Sequence, residues 1–318
     1  MSALGHHGRR YRLLTLFFPV FILFVYSRGA ESVTFTIVNM CSYTIWPGIL
    51  SNAGTQQPPT TGFALQPGQS SALPFPASWS GRIWGRTSCA QNATTGLFTC
   101  LTGDCGSSTV ECSGAGAIPP ATLAEFTLDG ADGLDFYDVS LVDGYNLPML
   151  VAPQGGTGGN CSITGCTADL NPGCPKELQV ESDGTSVACK SACDAFGDAQ
   201  YCCSGSYSTP STCKPSAYSG FFKSACPKAY SYAYDDGTST FTCAASDYVI
   251  TFCPSPSTSI RAATDYPVAA TLTDAPAAAG NGELQVSSAG RAQDRPASTA
   301  AYVALAAVLA VGFRIRSH

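Results

Sequence analysis

Gly81-Arg82-Ile83-Trp84-Gly85-Arg86-Thr87-Ser88-Cys89 reads as a strand that runs into a cysteine. Its aromatic and β-branched residues suit a pleated, half-buried surface. Comparable segments lie on either side: Ser32 to Asn39, Tyr43 to Trp46, Thr122 to Leu128, Phe136 to Val142, Ser239 to Cys243 and Tyr248 to Phe252. Gly, Pro, Asn or Asp bounds most of them, which is the punctuation of an all-β antiparallel sandwich. Long helical periodicity is absent, and the best helical candidate is Val187 to Phe196.

All 16 cysteines fall between Cys41 and Cys253. An even count behind a secretory leader predicts eight disulfides in an oxidising compartment, although spacing leaves their pairing open. Nine of them crowd the stretch from Cys161 to Cys226, where bridged loops are expected to replace a conventional core. The 3 histidines, His6, His7 and His318, all lie outside the cysteine window. Their absence within it removes imidazole bases, Ser-His and Cys-His nucleophiles and most zinc spacings, so neither metal nor cofactor is expected.

The two ends read as addresses. Arg9, Arg10 and Arg12 precede an apolar run from Leu13 to Tyr26 and the small residues Ser27, Gly29 and Ala30. This is a signal peptide over residues 1–30, too short to span a bilayer. A globular region follows over residues 31–254. Residues 255–299 form a linker rich in Pro, Ser, Thr and Ala, unable to bury a core. Residues 300–318 carry a second apolar run, Ala300 to Phe313, behind the small residues Ser287 to Gly290 and a polar spacer. Small site, spacer and apolar tail match a glycolipid-anchor signal. The terminal Arg314-Ile315-Arg316 disagrees with that pattern, and a short membrane helix is the alternative.

From Glu31 to Cys253 there are 7 basic and 18 acidic side chains, a net charge of −11, with no basic residue from Thr87 to Pro175. Such a surface repels phosphate backbones and excludes nucleic acid as a partner. Asn92-Ala93-Thr94 and Asn160-Cys161-Ser162 match the glycosylation acceptor; the second holds a cysteine inside the triplet.

Beyond Cys89 come Gly96-Leu97-Phe98-Thr99-Cys100-Leu101-Thr102-Gly103-Asp104-Cys105-Gly106, then Pro119-Pro120-Ala121-Thr122-Leu123-Ala124-Glu125-Phe126, then Leu134-Asp135-Phe136-Tyr137-Asp138-Val139-Ser140-Leu141-Val142-Asp143-Gly144-Tyr145-Asn146-Leu147-Pro148-Met149. With Tyr201-Cys202-Cys203 and Ser239-Thr240-Phe241-Thr242-Cys243, the chain closely resembles the thaumatin-like proteins, the fifth group of plant pathogenesis-related proteins, from about Ser32 to Pro254. Ser108 departs from the glycine common in that family's signature and affects only a turn.

The resemblance implies a sandwich with a disulfide-rich lobe over residues 168–226 and a small lobe over residues 87–120. It also implies the bridges Cys41–Cys253, Cys89–Cys100, Cys105–Cys112, Cys161–Cys243, Cys166–Cys226, Cys174–Cys189, Cys193–Cys202 and Cys203–Cys213. An acidic cleft between sandwich and disulfide-rich lobe falls, residue by residue, on Arg82, Glu125, Asp138, Asp143 and Asp235, with Asp236 adjacent to the last. Strand parity puts Glu125 and Thr127 on the face opposite Phe126 and Leu128. Asp143 reaches the same cleft as Asp138 only by leaving the strand, which Gly144 permits.

Three functions stay open. The first is a secreted or surface-tethered monomeric defence protein that binds β-1,3-glucan in the cleft and perturbs fungal growth. The second is weak endo-β-1,3-glucanase activity, with Glu125 as general acid and Asp138 or Asp143 as base or nucleophile. The third is inhibition of a pathogen's secreted hydrolases through loops outside the cleft.

Overall fold

The computed structural model describes residues 32–244 and 246–255. The leader at 1–30, nearly all of the 255–299 linker and the apolar tail at 300–318 lie outside the described residues. Among the described residues no helix is long and apolar enough to cross a membrane.

Among the described residues, thirteen strands form two main sheets and a small hairpin. They are β1 (Ser32–Asn39), β2 (Ile45–Ser51), β3 (Ser70–Pro76), β4 (Ser80–Gln91), β5 (Phe98–Thr102), β6 (Leu123–Thr127), β7 (Asp135–Ser140), β8 (Met149–Gln154), β9 (Thr164–Cys166), β10 (Gln179–Ser182), β11 (Thr185–Cys189), β12 (Phe241–Cys243) and β13 (Asp247–Phe252). One sheet has the order β3-β1-β13-β8-β9; the other runs β12-β7-β6-β4-β2, with β5 on the extended end of β4. Every pairing is antiparallel except β1 with β13, where Phe35 lies beside Tyr248. The first and last strands of the fold are thus neighbours, and everything between them is the crossover that a parallel pair requires.

Period-two alternation drives the strands into two layers. In β7, Tyr137 and Val139 are buried while Phe136 and Asp138 are part-exposed on the other side. The shared core is strongly aromatic. Phe35 meets Phe75 at 4.4 Å and Phe126 edge-on at 4.7 Å, and Tyr248 packs on Phe126 at 5.1 Å. Each such pair contributes about 0.5–1.5 kcal/mol beyond its area.

A second cluster covers the outer face of β4, where Trp84 and Leu123 pack under Cys105, Cys112 and Ala121. Arg86 ties this segment down. Fully buried, it donates to the carbonyls of Trp46 (2.9 Å), Pro47 (3.2 Å) and Val110 (2.6 Å).

Eight disulfides join the same pairs that the resemblance implies, and no free cysteine remains among the described residues. Five of them have both cysteines within the Cys161–Cys226 stretch or one partner there and one at Cys243.

The helix expected over Val187 to Phe196 is half strand. β-branched Val187 belongs to β11, paired with β10, and α1 (Ala192–Phe196) starts only after Ser191 caps it by accepting from the Asp194 N–H at 3.1 Å. A four-residue α2 (Ala199–Cys202) follows. The longest helix among the described residues, α3 (Ala217–Ala225), was not anticipated; Ser216 and Ser219 form a reciprocal capping box at its start. Ser239 ends a short α4 (Asp236–Ser239), so the strand expected from Ser239 begins only at Phe241.

Candidate functional site

Three adjacent strands set the site. Arg82 on β4 is the register partner of Glu125 on β6, and Glu125 that of Asp138 on β7. Their inward neighbours Ile83, Ala124 and Val139 are all fully buried, so the three polar side chains line up as one row on the outer face. The Arg82 Nε lies 3.8 Å from Glu125 Oε1. Glu125 keeps 36% of its side-chain surface accessible and Arg82 27%, so the row is partly open to solvent.

Asp143 joins them from beyond the end of β7. The Gly144 N–H bonds to the Leu141 carbonyl at 3.0 Å with φ +85°, turning the chain so that Asp143 faces the row. A Cβ on Gly144 would meet Pro120 at 2.6 Å and the Cys189 carbonyl at 2.7 Å, so position, as well as conformation, demands glycine.

One guanidinium therefore serves three carboxylates. Burial pushes the Glu125 pKa up, with Asp143 adding to the rise and Arg82 opposing it. Asp138 is raised well above the usual carboxylate range by burial, by Glu125 and by Asp236, against Arg82. Burial likewise raises Asp143, with Arg82 opposing and Asp194 adding. Glu125 and Asp138 share one charge-poor site, and together they hold a proton more tightly than either would alone. The Asp138 Oδ2 and the Arg82 Nε are buried without a hydrogen-bond partner among the described residues.

Asp235 is differently occupied. Its Oδ2 sits 2.8 Å from Lys223 Nζ and accepts from the Ser231 N–H (3.0 Å) and the Ser231 hydroxyl (2.9 Å). It fastens a loop to α3. The carboxylate of this segment that acts on Asp138 is the neighbouring Asp236, which accepts from the Tyr230 hydroxyl at 2.9 Å. Sequence adjacency gave no means of choosing between the two.

Tyr230 and Lys223 make contacts with these acidic residues that sequence reasoning missed. The Tyr230 N–H bonds to the Val139 carbonyl and its carbonyl accepts from the Leu141 N–H, which extends the sheet alongside the end of β7. Its hydroxyl contacts Thr240 as well as Asp236. Neither residue stands in a motif; the fold alone brings Tyr230 to the end of β7 and Lys223 to Asp235.

The two glycosylation acceptors differ in setting. Asn92 is exposed, its side chain accepting from the N–H groups of Thr94 and Thr95 in a tight turn. Asn160, also exposed, accepts from the Thr242 N–H at 3.3 Å, beside the Cys161–Cys243 bridge.

Residues 39–254 match the model of the Thaumatin family. Thaumatin-like protein 1 of Arabidopsis thaliana is 62% identical over 232 residues, covering 71% of this chain and 88% of that protein. Pathogenesis-related thaumatin-like protein 3.5 of Cryptomeria japonica is 55% identical over 244 residues, 77% of this chain and 98% of that one. A glucan endo-1,3-beta-glucosidase of Prunus avium is 54% identical over 228 residues, 71% and 92% of the two chains.

Proposed function

The chain belongs to the thaumatin family, and from that premise we propose that it is a secreted plant defence protein that binds β-1,3-glucan along the row of Arg82, Glu125 and Asp138. The observation that carries this reading is the Asp138 Oδ2, a buried acceptor with no donor among the described residues. A buried acceptor left unmatched costs about 1–3 kcal/mol, and a sugar hydroxyl offsets that cost by donating to it. The sheet face presents acceptors in a row with one guanidinium donor beside them, which suits a ligand with hydroxyls at regular spacing. The leader and the apolar tail support passage through the secretory pathway and tethering at the outer face of the plasma membrane.

Hydrolysis of the bound glucan is a second reading, favoured by the raised pKa of Glu125 and by the glucosidase name of the Prunus avium relative. Directly opposed residues on antiparallel strands have Cβ atoms about 4.5–5.5 Å apart. Cβ atoms at that spacing allow the two carboxyl groups the about 5 Å separation that a retaining mechanism uses. Glu125 would serve as general acid and Asp138 or Asp143 as nucleophile or base. Pull-down on insoluble β-1,3-glucan, with released reducing sugar measured in parallel, tests both readings. Retention without sugar release supports binding alone, retention with release supports hydrolysis, and no retention rejects the glucan assignment.

A further inference from the structure

Beyond Thr87, β4 leaves β2 and β6 and pairs with β5 alone, Cys89 opposite Cys100 and Gln91 opposite Phe98. The Cys89–Cys100 bridge clasps this hairpin just below its tip. Every residue of the tip, from Gln91 to Leu97, is exposed, Leu97 at 48%. Exposed loop tips of small and polar residues are the preferred sites of proteolytic nicking.

Asn92 opens the turn at that tip. Its Oδ1 accepts from the Thr94 and Thr95 N–H groups, both at 2.9 Å. Its own N–H donates to the Leu97 carbonyl at 2.8 Å, and its carbonyl accepts from the Gly96 N–H at 2.8 Å. Only the amide nitrogen makes no hydrogen bond among the described residues, and that is the atom to which an N-linked glycan attaches. The Thr94 hydroxyl, the other group that the acceptor motif requires, is unengaged as well. All these contacts lie between Asn92 and Leu97, so the turn forms without help from the rest of the fold.

Asn160 is held differently. Its Oδ1 accepts from Thr242, 82 residues along the chain. The middle residue of its triplet is bridged to Cys243, and the Ser162 hydroxyl is turned back onto the Asn160 carbonyl at 3.3 Å. The adjoining Gly159 lies so close to β12 that a Cβ would collide with the Thr242 carbonyl. A bulky glycan here would stand beside the closing bridge. At Asn92 there is no such conflict. The ten positions from Arg82 to Asn92 run along β4 at about 3.3 Å each, so a glycan on Asn92 stands roughly 30 Å from the carboxylate row.

We propose that Asn92 carries an N-linked glycan that shields the hairpin tip from proteolysis, and that Asn160 is left bare. The proposal rests on passage through the secretory pathway, with which the fully bridged cysteines agree. The test is peptide mass mapping of the full chain expressed in plant cells, before and after enzymatic removal of N-glycans, which leaves an aspartate wherever a modified asparagine stood. The peptide holding Asn92 should carry the glycan and the peptide holding Asn160 should not. Thr94→Ala destroys the acceptor motif yet keeps Asn92 and both N–H donors of its turn. It should lose the glycan and leave any retention on β-1,3-glucan unchanged. A protease of broad specificity should cut it between Asn92 and Leu97 several-fold faster than the glycosylated protein. The Cys89–Cys100 bridge holds the cut ends together, so the nick is read after reduction. A bare Asn92 in protein without free thiols overturns the proposal and leaves the secretory reading standing. A bare Asn92 together with free thiols overturns both. A glycan on Asn160 overturns the choice between the two motifs, and equal cleavage rates overturn the shielding role.

Discussion

Glu125 and Asp138 stand directly opposite each other on neighbouring antiparallel strands, with only Arg82 to balance them from within the row. Both folded pKa values lie above their unfolded ones. The stability this confers is complete below the ordinary carboxylate range of about 4 and is lost as pH rises through the raised values. At neutral pH the pair is therefore a local liability kept for use.

Asp138→Asn should raise Tm at pH 7, each kcal/mol being worth about 2–4 °C in a domain of this size. Below about pH 4 the difference from the unsubstituted protein should vanish. Calorimetry across that range checks the sign, and a Tm lowered at pH 7 would mean that the Asp138 charge is stabilising.

Glu125→Gln separates contact from chemistry. Glucan retention should weaken only several-fold, because the amide still accepts from a hydroxyl. Any release of reducing sugar should disappear, since the amide cannot deliver a proton. Sugar release that survives the substitution removes Glu125 from any catalytic role.

Asp235 and Asp236 should behave oppositely. Asp235→Ala strips Lys223 and Ser231 of their acceptor and should cost about 1–3 kcal/mol in denaturant unfolding. Asp236→Asn should leave stability within about 0.5 kcal/mol but alter the pH dependence of glucan binding, because Asp236 acts on Asp138.

Arg86→Met should destabilise by about 3 kcal/mol. It leaves the carbonyls of Trp46, Pro47 and Val110 buried without their donor. Burial already lowers the guanidinium pKa to about 10, with Asp104 and Glu111 opposing, so the charge itself is held at a cost. Lysine offers a single ammonium in place of the planar fork, and Arg86→Lys should recover only part of the loss.

A phosphatidylinositol-specific lipase should release the protein from plant membranes if a lipid is attached near Ser287 to Gly290. Retention after complete digestion, with residues beyond Ala300 found in the mature chain, would point instead to the short terminal helix.

Part of this fold and site is legible in the sequence. Alternation and β-branched content placed β1, β2, β4, β6, β7, β12 and β13 but missed β3, β5 and β8 to β11, and parity put Glu125 on the face away from Phe126. What alternation cannot give is register. Arg82, Glu125 and Asp138 are far apart in sequence and become a row only through the pairing of β4 with β6 and β6 with β7. The partner of Asp235 was illegible for the same reason, since Lys223 arrives on α3, whose start is marked by a serine capping box without the usual glutamate. Val187 misled because its apolar neighbours fit a helix or a strand equally over so short a run.

The Cys41–Cys253 bridge has a mechanical meaning as well. Cys253 directly follows β13, and Cys41 follows closely on β1, its parallel neighbour. Tension applied to the chain beyond Cys253 passes through a covalent bond into the other strand. β13 and β1 are then drawn together, so the load falls at once on the bonds that they make with their antiparallel neighbours β8 and β3. A sheet clasped in this way bears load at its end without peeling away from the layer that holds Glu125 and Asp138.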